Sequence, residues 1–263
     1  MNYELLEYAF FRNALAGVVL ISVACAVIGV YIVTRRMVFI AGGITHTCFG
    51  GLGLGYFMGW NPLITAAAFA IGGSLGVDAM ARWRVRQDSA IAVVWALGMA
   101  LGILFVFLTP GYVPELNSFL FGNVLNITYA DLWAFAIFSI LAVGIYAAFG
   151  RVIMAVSFDE DFARTRYLPV RLVNTVMMVM VSVGIVLTIK MIGVMLLMSL
   201  VSLPQLVAER LTRSYFRMML ISGIVSLAGC VGGLWLSVII DVPASAVIVI
   251  LLALFYGLAL LKK

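Results

Sequence analysis

The stretch ALAGVVLISVACAVIGVYIVT, Ala14–Thr34, decides the fold class of this chain, because its 21 residues include no charged side chain. An α-helix rises about 1.5 Å per residue, so roughly 20 residues cross a hydrocarbon layer of about 30 Å. Arg35 and Arg36 follow at once and end the apolar run. The stretch is therefore predicted to be a membrane-spanning helix.

The rest of the sequence repeats this pattern. Hydrophobic residues make up 65% of the 263 residues and charged residues only 10%, whereas soluble domains carry roughly 25% charged residues. We therefore expect an all-α integral membrane protein, a bundle of about eight or nine transmembrane helices in a single domain, residues 1–263. The predicted spans are Ala14–Thr34, Val38–Gly59, Pro62–Ala81, Ala90–Leu108, Asp131–Gly150, Leu172–Ile189, Met191–Val207, Met218–Ile240 and Pro243–Leu261.

The spans are separated by short breaks that contain turn residues or charges, such as Trp60-Asn61-Pro62. The weakest break is at Lys190, where two spans meet almost without a loop. Residues 119–128 are too few to span and are expected to be re-entrant or interfacial. Residues 1–12 are expected to form a tail or an interfacial amphipathic segment.

The basic residues are distributed unevenly over these breaks. With nine spans, fourteen of the sixteen fall on one side of the membrane, and the exceptions are Arg12 and Lys190. The positive-inside rule places that side in the cytoplasm. The N-terminus is therefore predicted to lie outside and the C-terminus inside, and an even number of spans is the main alternative.

His46 is the only histidine and the one titratable group predicted to lie deep in the membrane. It follows Arg36 by ten residues, about 15 Å along a helix, and its neighbours are Thr45, Thr47 and Cys48. One interpretation is a satisfied core histidine, and the other is part of the polar lining of a path. The glycines that follow it, such as Gly50-Gly51, also allow two interpretations: they permit close packing of helices, or they give the helix a smooth surface that lines a narrow path.

Ser157–Ala163 is predicted to be a short cytoplasmic helix between two spans. Ser157 or Asp159 is a possible N-cap, and acidic residues occupy the first turn. Phe158 and Phe162 are four residues apart and so share one face. This pattern indicates a docking element for a partner, although an ordinary solvated loop would also fit it.

The chain has no GxxxxGK[ST] motif, because its only lysines are Lys190, Lys262 and Lys263. It is therefore not expected to bind ATP in a Walker-type loop or to be an enzyme. It also has no row of buried carboxylates, which are typical of proton-coupled carriers. If the chain transports a solute, the energy is expected to come from a partner.

Several short motifs occur in an order and spacing that resemble one family. They are Arg35-Arg36-Met37, Ala41–Thr47 with Gly50-Gly51, Asp88–Ile91 with Ala96–Leu104, Leu120–Leu125 with Asp131-Leu132, Ser157–Ala163, Ile192–Leu197 with Leu203-Pro204 and Ala208, and Asp241–Ala244. Over nearly its whole length the chain resembles the permease subunits of ABC transporters that take up zinc, manganese or iron.

This resemblance implies a multi-pass permease of the inner (plasma) membrane that forms a homodimer and passes a divalent metal ion. It implies a separate ABC ATPase subunit that hydrolyses ATP, an extracytoplasmic metal-binding protein, and no nucleic acid partner. It assigns transient metal contact to His46. It assigns coupling to the ATPase to the short helix, with the residues Phe158, Asp159, Phe162 and Ala163.

The sequence departs from the family pattern at two positions. The family aspartate four residues before the histidine is Gly42 here, so the carboxylate of the expected carboxylate–imidazole pair is missing. The family glycine after the coupling helix is Tyr167. The alternative function is a secondary metal carrier or channel that needs no ATPase. A membrane scaffold or intramembrane enzyme has less support, since the sequence has no HExxH or GxSxG motif.

Overall fold

The computed structural model describes residues 8–110 and 127–261, and every regular element in those ranges is a helix. The described helices are α1 Ala9–Thr34, α2 Val38–Met58, α3 Pro62–Arg82, α4 Gln87–Leu108, α5 Tyr129–Phe158, α6 Glu160–Thr165, α7 Val170–Leu211, α8 Tyr215–Ile240 and α9 Ala244–Leu261. Eight of them, all except α6, are long and apolar enough to cross a membrane. The prediction of an all-α membrane protein is confirmed, and most of the predicted segment 119–128 lies outside the described residues.

Two predicted helix ends were wrong because a single arginine does not end a helix. α1 begins at Ala9 and includes Arg12, so residues 9–12 are not a separate interfacial segment. α5 does not stop at Gly150 but continues through Arg151 to Phe158. Residues 152–158 include neither glycine nor proline, so nothing in the local sequence breaks the helix before Phe158.

The predicted spans Leu172–Ile189 and Met191–Val207 form one element, α7, with 42 residues. A straight helix of that length would measure about 63 Å, twice the hydrocarbon thickness. The helix is interrupted at Gly193, with φ 77° and ψ 174°, a conformation that is essentially restricted to glycine. The break therefore lies at Gly193 and not at Lys190, and it divides α7 into two arms.

The helices form two compact units. Unit 1 contains α1, most of α5, α7 from Leu187 onward, α8 and α9. Unit 2 contains α2, α3, α4, the end of α5, α6 and α7 up to Val186.

In unit 1, α8 packs against both α1 and α9. A Cβ atom on Gly233 of α8 would lie 2.8 Å from Cα of Ile248 in α9, so only glycine permits this approach. Gln205 of α7 is fully buried and its Nε2 donates to the carbonyl oxygen of Cys25 in α1 at 2.8 Å. Small residues and buried hydrogen bonds hold these helices together, as is usual in lipid.

The second arm of α7, which follows Gly193, runs parallel to α5 within unit 1. Lys190, just before the break, forms an ion pair with Asp131 at the start of α5. At the far end of α5, a Cβ atom on Gly150 would lie 3.1 Å from the ring of Phe216, which follows α7 at the start of α8. The segment from Lys190 to Phe216 therefore extends alongside α5 from Asp131 to Gly150.

In unit 2, α2 packs closely against α3 and α4. A Cβ atom on Gly51 would lie 2.6 Å from Cα of Ala66 in α3, and one on Gly53 would lie 2.6 Å from the carbonyl oxygen of Gly102 in α4. The glycines of α2 and α4 therefore act as packing positions, because any larger side chain would separate the backbones.

Candidate functional site

His46 lies on α2 and is half-buried. Its ring is stacked on the indole of Trp95 from α4, with ring centroids 4.4 Å apart and an interplanar angle of 11°. The ring of Phe49, one turn away on α2, is 5.6 Å from the imidazole. The Nδ1 atom of His46 is buried and has no hydrogen-bond partner among the residues that the structure describes. A buried imidazole nitrogen that is left unsatisfied is unusual in a purely structural histidine and is compatible with a passing ligand.

The polar neighbours of His46 bond to backbone carbonyl oxygens. The hydroxyl of Thr45 donates to the carbonyl oxygen of Ala41 at 2.6 Å, and that of Thr47 donates to the carbonyl oxygen of Gly43 at 2.7 Å. The Thr47 hydroxyl also reaches the carbonyl oxygen of Val94 in α4 at 3.3 Å. These hydroxyls therefore satisfy backbone groups of α2 and α4, although their oxygen lone pairs can still accept.

The metal-ligating chemistry around His46 is sparse. Within residues 8–110 and 127–261, no group of three or more His, Cys, Asp or Glu side chains is placed so that it could hold a metal ion. Gly42, one turn before His46, is buried and supplies no carboxylate. A closed metal site usually has four ligands, so the arrangement suits weak and reversible contact through one imidazole better than a resident metal.

Trp95 is a part of this site that the sequence did not reveal. α2 and α4 run in the same direction, since Gly43 faces Ile91 and Gly53 faces Gly102, and this register places Trp95 beside His46. The glycine pair in α4, Gly98 and Gly102, was the available signal that α4 packs closely on another helix. It did not specify which helix that was.

The predicted coupling helix is observed as α6, Glu160–Thr165, and begins later than predicted, because Ser157 and Phe158 still belong to α5. The backbone of Asp159 is extended (φ −151°, ψ 99°), so Phe158 and Phe162 do not share one helical face as the sequence predicted. Asp159 is its N-cap, and its carboxylate accepts a hydrogen bond from the backbone N–H of Phe162 at 2.9 Å. Phe158 and Phe162 are 62% and 51% exposed. Ala163 is fully buried. Of the four predicted coupling residues, the two phenylalanines lie on the outer surface, while Asp159 and Ala163 shape and seat the helix.

Glu160 joins α6 to two other parts of unit 2. Its Oε1 atom accepts hydrogen bonds from Arg35 at 2.5 Å and from Asn174 at 2.7 Å. Its Oε2 atom accepts from Arg164 at 3.3 Å. Burial disfavours the charged carboxylate, but the hydrogen bonds from Asn174 and Arg35 and the positive charges of Arg35 and Arg164 outweigh it. The pKa of Glu160 is therefore lowered below its ordinary value of 4.5.

Tyr167 follows α6 in a left-handed backbone conformation, with φ 55°. Its side chain is 96% exposed and so gains little from packing. Left-handed backbone is unfavourable for residues that carry a Cβ atom and is readily adopted by glycine. The geometry explains why a glycine suits this position and why tyrosine is strained there.

A comparison with known protein families identifies the family of this chain. Residues 7–263 match the model of the ABC 3 transport family. The chain belongs to this family. The resemblance inferred from the sequence motifs is thereby confirmed over almost the whole chain.

Relatives of this ABC 3 family chain also match it over nearly its full length. An uncharacterized membrane protein of Synechocystis sp. is 34% identical over 98% of this chain and 92% of its own length. The manganese transport system membrane protein MntC of Listeria innocua is 28% identical over the same shares. Among solved structures, PsaBC from Streptococcus pneumoniae in complex with Fab is 22% identical, with a TM-score of 0.85 over 98% of this chain and 95% of that one. This last similarity shows that the fold is shared.

Proposed function

We propose that this chain is the membrane-spanning permease subunit of an ABC importer for a divalent metal ion. The family match over residues 7–263 carries the proposal. A relative that matches 98% of this chain is named as a manganese transport protein, which makes Mn²⁺ the first candidate cargo. The imidazole of His46 would bind Zn²⁺ or Fe²⁺ as well, so these two ions are the candidates to compete with it.

In this proposal His46 makes transient contact with the metal ion. A pathway ligand must bind strongly enough to admit the ion and weakly enough to release it. One imidazole with nearby hydroxyl and carbonyl oxygens meets that requirement, whereas a closed set of four ligands would retain the ion. The stack on Trp95 covers one face of the ring and fixes its orientation.

The proposed energy source is a separate ATPase that docks on α6. The exposed phenylalanines Phe158 and Phe162 are suitable anchors, because buried aromatic side chains often dominate the energy of protein interfaces. The complete transporter would consist of two copies of this chain, two ATPase subunits and an outer metal-binding protein.

The test is metal uptake into vesicles that contain this chain with its cognate ATPase and metal-binding protein. Mn²⁺, Zn²⁺ and Fe²⁺ are supplied together and measured separately, with ATP present or absent. We expect uptake only with ATP and only with an ATPase that retains its Walker lysine. Uptake that continues without ATP would instead support the secondary carrier or channel, and no uptake of any of these ions would refute the proposal.

A further inference from the structure

Docking of α6 onto a partner leaves the role of Glu160 unexplained. Phe162 and the 95% exposed side chain of Asp161 lie on the outer side of the short helix, and the exposed Phe158 is the last residue of α5, just before it. The side chain of Glu160 is only 27% exposed and turns toward other helices of unit 2. An acidic side chain is costly to bury unless its charge is compensated, so the inward direction of Glu160 needs a reason.

We propose that Glu160 is a positioning residue that transmits movement of α6 to α2, the helix that carries His46. This inference rests on the proposed function and identifies the connection between the ATPase docking site and the metal path. It requires that α6 moves as one piece, that Glu160 is joined to α2, and that α2 carries the movement to His46.

The first requirement is met by the construction of α6. Asp159 caps its first turn, and the fully buried Ala163 seats it against unit 2. The backbone N–H of Leu168 also bonds the carbonyl oxygen of Ala163 at 3.1 Å, which closes the segment behind the helix. A partner that holds Phe158 and Phe162 therefore displaces a preformed unit rather than a flexible loop.

The second requirement is met by Arg35. This arginine donates from Nη2 to Glu160 at 2.5 Å and from Nη1 to the carbonyl oxygen of Val156 at 3.2 Å. Its side chain is only 17% exposed, so water screens the ion pair weakly. Arg35 precedes the first residue of α2, Val38, by three positions, and the intervening Met37 is buried. The start of α2 is thus held by the residue that holds α6.

The third requirement is met by the stiffness of α2. From Val38 to His46 the helix rises about 12 Å without a break. Close glycine contacts limit bending against α4; a Cβ atom on Gly102, for example, would lie 2.7 Å from the carbonyl oxygen of Phe49. A displacement at Arg35 is therefore passed along α2 to His46.

The experiment measures metal import and ATP hydrolysis in the same proteoliposomes, which contain this chain with its cognate ATPase and metal-binding protein. The variant Glu160→Gln keeps the size of the side chain and removes the charge that Arg35 holds. The matched control is Glu209→Gln, which makes the same change at an exposed residue of α7 that is not one of the docking residues. Mn²⁺ is the ion measured.

We expect Glu160→Gln to assemble with the ATPase and to hydrolyse ATP, while the Mn²⁺ imported per ATP falls at least about fivefold, the lower end of typical coupling between sites. Glu209→Gln should keep the wild-type ratio. An unchanged ratio in Glu160→Gln, or an equal fall in Glu209→Gln, overturns the inference. Wild-type vesicles that import no metal would instead count against the proposed function itself.

A second variant covers the case in which Glu160→Gln does not fold because it leaves Arg35 without its counter-charge. The double variant Arg35→Gln with Glu160→Gln removes both charges. If it folds, assembles and shows the low import ratio, the connection transmits movement as proposed. If it imports Mn²⁺ at the wild-type ratio, the ion pair serves only stability and the inference is wrong.

Discussion

The ring of His46 has two separable properties, its flat packing surface and its nitrogen atoms. Stacking on Trp95 needs only the flat ring, whereas metal contact needs a nitrogen. We predict that His46→Phe, which keeps the stack, and His46→Ala, which removes it, both lower Mn²⁺ uptake about tenfold or more, by analogy with the loss of groups that support metal sites. Uptake is measured per folded complex in vesicles.

The pair of variants makes this prediction decisive. If His46→Phe transports like the wild type while His46→Ala does not, the histidine is a packing residue for Trp95. The metal path would then have to be lined by hydroxyl and carbonyl oxygens. Thermal unfolding in detergent serves as the control, since His46→Phe should keep the wild-type midpoint.

Tyr167 provides a prediction about stability. Left-handed backbone costs a residue with a Cβ atom roughly 1–2 kcal/mol. Glycine at this position would remove that cost, but part of the gain in stability is offset by the greater conformational freedom of glycine in the unfolded chain. We predict that Tyr167→Gly stabilises the chain by about 1 kcal/mol and raises its thermal midpoint. Tyr167→Ala is the control, because alanine retains the Cβ atom and should give no comparable increase. Equal midpoints for the glycine and alanine variants would show that the backbone is not strained.

Single residues were foreseen from the sequence only where their chemistry is rare. His46 stood out as the only histidine, and Asp159 as an acid before a possible helix. Two contacts could not be foreseen, because their members are far apart in the sequence. Trp95, which stacks on His46, lies 49 positions from it, and Arg35, which pairs with Glu160, lies 125 positions from it. Such pairs depend on the register between helices, which the sequence of each helix does not encode by itself.

At the scale of elements, α6 is the helix whose exposed side can be tested most directly. We predict that Phe158→Ala combined with Phe162→Ala weakens binding of the ATPase about thirtyfold or more, since even one interface anchor often contributes about 2 kcal/mol. Binding is measured with the purified ATPase on the chain in nanodiscs. The control is Phe107→Ala, which removes a phenylalanine that is 86% exposed at the end of α4. Unchanged binding in the double variant would mean that α6 is only a connector.

Most elements could be predicted from hydropathy alone, because long uncharged runs have few alternatives to a helix in a membrane. The weakest prediction was the break in α7. The sequence predicted a break at Lys190, because a charged side chain is costly in a membrane span. In the structure Asp131 provides a counter-ion, and the helix continues to Gly193. The partner lies 59 residues earlier in the chain, so the sequence around Lys190 gives no sign that its charge is compensated.

At the scale of the whole molecule, the direction of the chain gives a testable topology. Within unit 1, Gly150 of α5 faces Phe216. Their neighbours Arg151 and Arg217 therefore lie near the same end of α5. Lys190 lies at the other end, where it pairs with Asp131. The positive-inside rule assigns the arginine end to the cytoplasm. In unit 2 the same rule by itself assigns the loop with Arg82, Arg84 and Arg86 to the cytoplasm and residues 59–61, which include no Lys or Arg, to the outside. We predict that Arg84→Cys and Arg213→Cys are shielded from an impermeant thiol reagent in intact cells, and that Trp60→Cys is labelled.

The native cysteines should not interfere with this measurement, because Cys25, Cys48 and Cys230 are all buried. Permeabilised cells provide the control, since the shielded positions should then react. Labelling of Arg84→Cys from outside in intact cells would reverse the predicted orientation.

The length of α5 has a consequence for the lipids that surround the protein. Its 30 residues extend about 45 Å, roughly 15 Å more than an ordinary hydrocarbon core. Asp131 and Arg151 are 20 residues apart, about 30 Å along the helix axis, so together they bracket one hydrocarbon thickness. A bilayer with longer acyl chains would draw one of these charges into the apolar layer unless the helix became more upright or the bilayer thinned locally. Acyl-chain length is therefore a physical variable to which this helix, and the short segment at its end, must respond.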